Sequence, residues 1–272
     1  MPQIINTNVQ SLNSQRNLDT SQSSLFTSLQ RLSSGLRINS SKDDAAGLAV
    51  AEKMNAQSRG MTVAIRNAND GLSLAQTAEA GMNVIGQHLQ RMRELAVQAA
   101  SGQWDSDNRA ALDVEFQQLT SEVNRAVSAT QFNGIKLLNG DFSAGVDFQI
   151  GATTTGESQI KISISQISFG GQAISGSNGA AALSAMSALD VQIDYINKNR
   201  ASLGAIQNRF EGVITQLSAA RENATAARSR LMDADYGAET ANLARAQILQ
   251  QAGVAMLAQA NALPQNVLSL LR

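Results

Sequence analysis

From Leu189 to Leu231 every seventh residue is apolar: Leu189, Ile196, Leu203, Phe210, Leu217, Ala224 and Leu231. A second row, Ile206, Val213, Ala220 and Ala227, follows members of the first by three residues. An α-helix turns once per 3.6 residues, so this spacing draws one apolar stripe along one side. Some 40 residues of such helix would be roughly 60 Å long. A stripe of that length needs other long helices beside it.

The pattern predicts them. Residues 44–100 contain no proline and carry Met54, Met61, Ile65, Leu72, Ala75, Met82, Ile85, Leu89, Met92 and Leu95 at alternating spacings of three and four. Gly60, Gly71, Gly81 and Gly86 on this helix allow close helix approach at some cost in stability. Ser101–Ser106 reads as a loop, with Trp104 covering the end of a hairpin. The next helix, 106–129, places Leu112, Phe116, Leu119, Val123 and Val127 on one face and spaces Arg109 and Asp113 to pair. So short a loop implies an antiparallel hairpin. The expected core of the resulting rod is Ile65, Leu72, Leu89, Phe116, Leu189, Ile196, Leu203, Phe210 and Leu217.

The two ends are weaker versions of the same pattern. Residues 4–34 show Ile5, Leu12, Leu18, Leu25, Leu29 and Leu32 at helical spacing, but sixteen of residues 6–34 are Ser, Thr, Asn or Asp. At about 0.5 kcal/mol each, these put the segment roughly 8 kcal/mol behind an alanine chain. Such a segment becomes helical only where a partner covers its stripe. Ser33-Ser34-Gly35 ends it, and Ser41-Lys42-Asp43-Asp44 reads as a helix start, with Ser41 as cap and two carboxylates in the first turn. Adjacent carboxylates on a helix diverge by about 100°, which favours capping over paired catalysis. At the other end, Ala246, Leu249, Met256, Ala260, Leu263, Val267 and Leu270 repeat the three/four spacing on a segment rich in alanine. Left uncovered, that charge-free stripe should adhere to something.

Between the helices, residues 130–178 change period. Val146–Ile150 and Ile160–Ser165 alternate as short strands, and Asn133-Gly134 and Asn139-Gly140 signal turns. The segment is too short for a domain with its own core and is expected at one end of the helical rod. Asp233–Gly237 breaks the last two helices apart. Its resemblance to a calcium loop fails at the fifth and sixth positions.

Composition narrows the function. Charge is balanced, with 21 Lys+Arg against 22 Asp+Glu, so there is no electrostatic footprint for nucleic acid or an anionic membrane. There is no cysteine, and the single histidine, His88, lies among Gln87, Gln90 and Arg91 as a surface residue. No nucleophile–base pair, phosphate loop or metal cluster is visible, so neither an enzyme nor a cofactor is expected. The opening residues MPQIINTNVQ lack a basic region and an apolar run, so no cleaved secretory signal is expected. Residues 246–271 are free of charge but interrupted by seven amides and Pro264, which argues against a membrane span.

Several of these segments resemble bacterial flagellin: Ile5-Asn-Thr-Asn8, Arg31-Leu-Ser-Ser-Gly-Leu-Arg-Ile-Asn39, Lys42-Asp-Asp-Ala-Ala-Gly-Leu48, Asn67-Ala-Asn-Asp-Gly71, Arg93-Glu-Leu-Ala-Val-Gln98, Gln131-Phe-Asn-Gly134 and Gln265-Asn-Val-Leu268. They fall in the family's order over roughly residues 1–140 and 190–272. The resemblance implies a structural subunit of the extracellular flagellar filament used for swimming. The fold it implies is mainly α: a long antiparallel rod of helices 44–100, 106–129 and 181–231, a small β region over 130–178, and paired terminal helices. Residues 1–43 and 233–272 would form an inner tube and its connecting spoke, and residues 44–232 the rod. Only about 50 residues separate the two matching ends, so large outer domains, and any metalloprotease insert within them, are not expected.

On the same ground, the inner-tube residues would be Ile5, Leu12, Leu18, Leu25, Leu29, Leu32, Leu249, Met256, Leu263, Val267 and Leu270. Arg91, Leu95 and Glu115 match the family's innate-immune receptor site, which implies a host Toll-like receptor as a partner. Other implied partners are further flagellin subunits, filament cap and hook-associated proteins, and an export chaperone on the C-terminal segment. Export would be through the flagellar type III apparatus. A hook–filament junction protein shares the same end-helix plan and is the alternative.

Overall fold

The computed structural model describes residues 7–151 and 158–269. They form α1 (Val9–Ser34), α2 (Ala45–Ala100), α3 (Ser106–Ala129), β1 (Gln131–Phe132), β2 (Ile135–Lys136), β3 (Val146–Gln149), β4 (Gln159–Ile162), α4 (Ala180–Met232) and α5 (Tyr236–Ser269). The mainly α fold with a small β region is the one the periodicities predict. The chain divides into two compact units, Gln57–Glu222 and Met1–Ala56 with Asn223–Arg272. Helices α2 and α4 contribute to both.

In the unit Gln57–Glu222, the heptad stripe of α4 packs into one core with α2 and α3. Leu189, Ile196, Leu203 and Phe210 are at most 2% exposed, and Met82, Ile85, Leu89, Met92 and Phe116 are equally buried. Ile65, Leu72 and Leu217 are half-buried. The stripe is therefore fully covered only from Leu189 to Phe210, where α3 or the β region adds a third layer.

Helix α3 is capped by Asp105, whose carboxylate accepts the Asn108 N–H at 2.8 Å. It ends at Thr130, which sits on Gly81: a Cβ at position 81 would lie 2.5 Å from Thr130 Oγ1. Beyond that point the β segments occupy the space α3 has left. The β1–β2 turn uses Asn133 (φ 49°) and Gly134 (φ 79°), the positive angles a two-residue hairpin turn requires. Strands β3 and β4 pair antiparallel, Val146 opposite Ile162 and Phe148 opposite Ile160. Phe148 meets Phe210 edge-on, with ring centroids 6.0 Å apart. The expected second strand stops at Ile162; the Ile164 and Ile167 N–H groups then donate to the Phe142 and Leu138 carbonyls, and residues 172–177 run along α3. Gln117 donates to the Gln172 carbonyl at 2.9 Å, and the Ile174 N–H donates to Asp113 at 2.8 Å. The β region thus shares the helical core through Leu137, Phe142, Ile162 and Ile174.

Three local expectations are corrected. Arg109 does not pair with Asp113. It is 3% exposed, and its guanidinium donates to the carbonyls of Ala99, Ser101 and Ser177. The last carbonyls of α2 have no helical partner and need donors, which a buried guanidinium supplies better than a rim carboxylate needs a cation. Ser41 is not the cap of α2. Asp44 fills that place, accepting the Gly47 N–H at 2.8 Å, while Asp43 folds back on the preceding turn. Gly86 makes no close approach, with nothing within 4 Å of a Cβ there, whereas Gly71 and Gly81 do. His88 is half-buried, and Trp104 is half-buried in the hairpin loop.

In the other unit, α1 is capped by Asn8 and closed by Gly35 in the left-handed conformation (φ 72°). The break after α1 pairs with the break between α4 and α5. Leu36 bridges Asp233, the Arg37 N–H donates to the Met232 carbonyl at 2.6 Å, and the Ala234 N–H donates to the Gly35 carbonyl at 2.9 Å. Ile38, Ala51 and Met232 form a small apolar cluster there. Asp235 accepts the Gly237 and Ala238 N–H groups and so caps α5.

Candidate assembly surface

Helices α1 and α5 pack side by side, from Asn8 against Ala260 at one end to Leu32 against Tyr236 at the other. Small residues permit that approach. On α5 the seam follows a heptad, Glu239, Ala246, Gly253 and Ala260, of which the three bearing a side chain are 4–7% exposed. On α1 it follows Ser11, Leu18, Leu25 and Leu32, with Ser28 also buried. Leu18 Cδ1 lies 3.3 Å from where a Cβ on Gly253 would stand.

The seam is held by polar groups. Asn8 donates to the Ala260 carbonyl at 2.7 Å and the Ser11 hydroxyl to Asn261 Oδ1 at 2.8 Å. Arg31 pairs with buried Glu239 at 3.7 Å, and the Tyr236 hydroxyl donates to the Leu32 carbonyl at 3.3 Å. Helix α5 therefore turns small and polar residues inward, and α1 sets two buried serines and three half-buried leucines against them. The larger apolar side chains remain outside: Val9, Leu12, Phe26 and Leu29 on α1, and Ile248, Leu249, Val254 and Met256 on α5, are 49–70% exposed.

Of the residues expected in the inner tube, Leu12, Leu29, Leu249 and Met256 lie on this exposed surface. Leu18, Leu25 and Leu32 are half-buried along the seam. Ile5 and Leu270, and the side chains of Leu263 and Val267, lie outside the described residues. Sequence reasoning missed Phe26, Val9, Ile248 and Val254. The expected stripes do contain Leu18, Leu25, Leu32, Ala246 and Ala260 of the seam, but sequence reasoning missed Ser11, Glu239 and Gly253, which complete its seven-residue spacing. Those three are Ser, Glu and Gly, which apolar counting passes over.

The residues expected to meet a receptor, Arg91, Leu95 and Glu115, fall in the other unit. The Arg91 guanidinium donates to Glu115 through Nε and Nη2, at 3.0 and 2.9 Å, and to Glu94 through Nη1 at 3.0 Å. The hydrogen bonds to Glu115, then to Glu94, raise the Arg91 pKa above its ordinary value. All three side chains are roughly half exposed or more. Leu95 is 1% exposed and belongs to the core beneath them. Glu94 is a member of this cluster that sequence reasoning did not single out. Among the described residues no group of acidic residues or histidine could hold a metal ion, and no helix is long and apolar enough to cross a membrane.

The comparisons with known proteins agree across the chain. Residues 5–143 match the bacterial flagellin N-terminal helical region, and residues 186–271 match the bacterial flagellin C-terminal helical region. The flagellin of Halalkalibacterium halodurans is 44% identical, over 99% of this chain and 100% of its own length. That of Bacillus subtilis is 40% identical, over 98% of this chain and 99% of its own. A solved structure described as a putative flagellar hook-associated protein of Vibrio parahaemolyticus superposes with a TM-score of 0.61 at 12% identity, covering 70% of this chain and all of that one. At that identity the likeness speaks for the fold alone. Full-length relatives, both terminal regions and an apolar surface built for neighbours lead to one conclusion: the chain belongs to the bacterial flagellin family, as a short member without large outer domains and a structural subunit of the flagellar filament.

Proposed function

We propose a division of labour between the two units. The α1–α5 pair forms the inner tube of the filament, and the α2–α3–α4 bundle forms the shell around it. The observation that carries this reading is the inside-out pairing of α1 and α5, with buried Ser11, Ser28, Ala246 and Ala260 and exposed Leu12, Phe26, Leu29 and Met256. A seam of small residues on α5, facing leucines of α1 that stay half-buried, removes only part of the apolar area from water within the subunit. At about 25 cal/mol per Å², the larger gain comes when neighbouring subunits cover the outer residues. The Gln57–Glu222 unit has the opposite design, with its large apolar residues already inside, and folds without neighbours.

Export through the flagellar type III apparatus follows from the same weakness: terminal helices that gain little alone are easily kept unfolded. The C-terminal segment, free of charge from Ala246 to Leu271, suits an export chaperone that shields it before assembly. Filament cap and hook-associated proteins would meet the same terminal surfaces. The exposed Arg91–Glu115 pair suits a host Toll-like receptor, with Leu95 holding the helices under it in place. An extracellular position and a purely structural, non-enzymatic role complete the reading.

Electron microscopy of the purified protein after addition of short filament seeds tests it. Long tubular filaments are the expected result. Failure to elongate seeds at any concentration would move the chain to the hook–filament junction instead.

A further inference from the structure

The most exposed large apolar side chain among the described residues is Phe26, at 70%. The chain has seven phenylalanines, and the other six are buried or half-buried. On another side of the same helix, α1 and α5 enclose a groove of about 440 Å³, lined among others by Thr20, Ser24, Thr27 and Arg31 from α1 and Arg245 and Leu249 from α5. We infer that Phe26 of one subunit inserts into this α1–α5 groove of a second copy, as the knob-and-hole contact that sets subunit register. The inference rests on the filament-subunit reading and adds the residues that make the contact.

The groove has the chemistry of an aromatic site. Thr20, Ser24 and Thr27 each donate their hydroxyl proton to a carbonyl of their own helix, those of Arg16, Thr20 and Ser23, at 2.9–3.0 Å. With that proton spent, each hydroxyl offers a neighbour only lone pairs and carbon-bound hydrogens. Lone pairs suit the positive edge of a phenyl ring. The negative face of the ring suits a guanidinium: Arg245 stands here, and Arg31, paired with Glu239 that also lines the groove, is the second. Arg245 is held by an Asn242 contact at 3.3 Å, and the Arg31 Nε is buried without a hydrogen-bond partner. Leu249, 51% exposed, supplies an apolar wall. The volume exceeds that of one phenyl ring, leaving room for a flanking side chain.

The placement suits a filament. At 100° per residue, Phe26 lies roughly 100–140° around α1 from Thr20, Thr27 and Arg31. It cannot fill its own groove. A knob on one face and a hole on another make a heterologous contact, which repeats head to tail and builds an open helical array.

The chain has no cysteine, so engineered disulfides report the contact cleanly. Full-length Phe26→Cys and Leu249→Cys subunits, carrying different tags, are mixed, polymerised on seeds and oxidised. A disulfide joining position 26 of one tagged chain to position 249 of the other is expected in filaments and not in dilute monomer. Filaments that give no such cross-link, or only links between two Phe26→Cys chains, overturn the inference. A second measurement covers the case in which either cysteine variant assembles poorly. Phe26→Ala should raise the critical concentration for elongation at least about tenfold. Phe26→Tyr should restore it, and the thermal midpoint of the monomer should not move. An unchanged critical concentration for Phe26→Ala also overturns the inference, while leaving the filament role intact.

Discussion

Phe210 rests on the backbone of Gly71: a Cβ at position 71 would lie 2.7 Å from Phe210 Cζ. Below 3.0 Å something must shift, and a ring buried to 0% exposure has nowhere to go. Gly71→Ala should therefore lower stability despite the better helix propensity of alanine, since overpacking costs about 1–3 kcal/mol against a gain of about 1. Gly86 is the control. Nothing stands near its Cβ position, so Gly86→Ala should stabilise by up to about 1 kcal/mol. Opposite shifts in thermal midpoint on the same helix are the expected result, and shifts of the same sign would refute the packing.

The same contact makes Phe210 the most sensitive point of the α4 stripe. Phe210→Asp deletes the ring and puts an unpaired carboxylate into the core beside Phe148. A loss of about 3–5 kcal/mol is expected, seen as a midpoint lower by roughly 10 °C. An unchanged midpoint would show that the stripe does not pack there.

Arg109 ties three chain segments together, through the carbonyls of Ala99, Ser101 and Ser177. Arg109→Met keeps the length and removes every donor, at about 1–3 kcal/mol for each carbonyl left buried without a partner. Arg109→Lys should recover only part of this, because one ammonium cannot reproduce the guanidinium fork. Hydrogen exchange should quicken first in residues 99–105 and 175–180. Protection there equal to the parent would remove Arg109 from this role.

How much of this was legible in the sequence follows from which physical signal each element carries. The α4 stripe, α2 and α3 could be read because large apolar residues at helical spacing have few uses other than burial. The ends of α3 matched because the Ser101–Ser106 loop and the change of period at residue 130 bracket its stripe. Arg109 could not be read, since its partners are backbone carbonyls, which leave no mark in the residue types. The α1–α5 seam was partly hidden because close helix approach is written in Ser, Gly and Ala. Counting leucines put Leu12 and Leu29, which the helix turns outward, on the same stripe as Leu18, Leu25 and Leu32, which line the seam. The early end of the second strand was missed because Ser163–Ser165 keep the alternation of a strand, although the Ile164 and Ile167 N–H groups donate to the Phe142 and Leu138 carbonyls and only residues 172–177 bond side chains of α3.

Asp43 gives a pH signature. The Ser40 and Asn39 N–H groups and the Ser40 hydroxyl, all within 3.1 Å of Oδ2, hold its carboxyl below the usual aspartate range. A depressed folded pKa contributes stability above the unfolded value of about 3.9, and that contribution disappears as pH falls through the folded pKa. The turn at residues 39–44 should thus loosen on acidification below about pH 4, and Asp43→Asn should abolish that step. Amide chemical shifts of Asn39 and Ser40 across roughly pH 2–6 check it; identical profiles for parent and variant would exclude the mechanism.

The last test removes residues 246–272. The deletion takes away Ala246, Gly253 and Ala260, the small residues on which α1 rests, together with exposed Leu249 and Met256. The Gln57–Glu222 unit keeps its whole core and should retain its cooperative unfolding transition. Helix α1 should not survive, because its many Ser, Thr, Asn and Asp residues leave it without intrinsic support once its partner is gone. Circular dichroism should therefore show a loss of helix larger than the deleted residues alone explain. Elongation of seeds should be absent at every concentration, since both the seam and half of the outer apolar surface are lost. Filaments formed by the truncated chain would place the decisive subunit contacts on the α2–α3–α4 bundle rather than on the terminal pair.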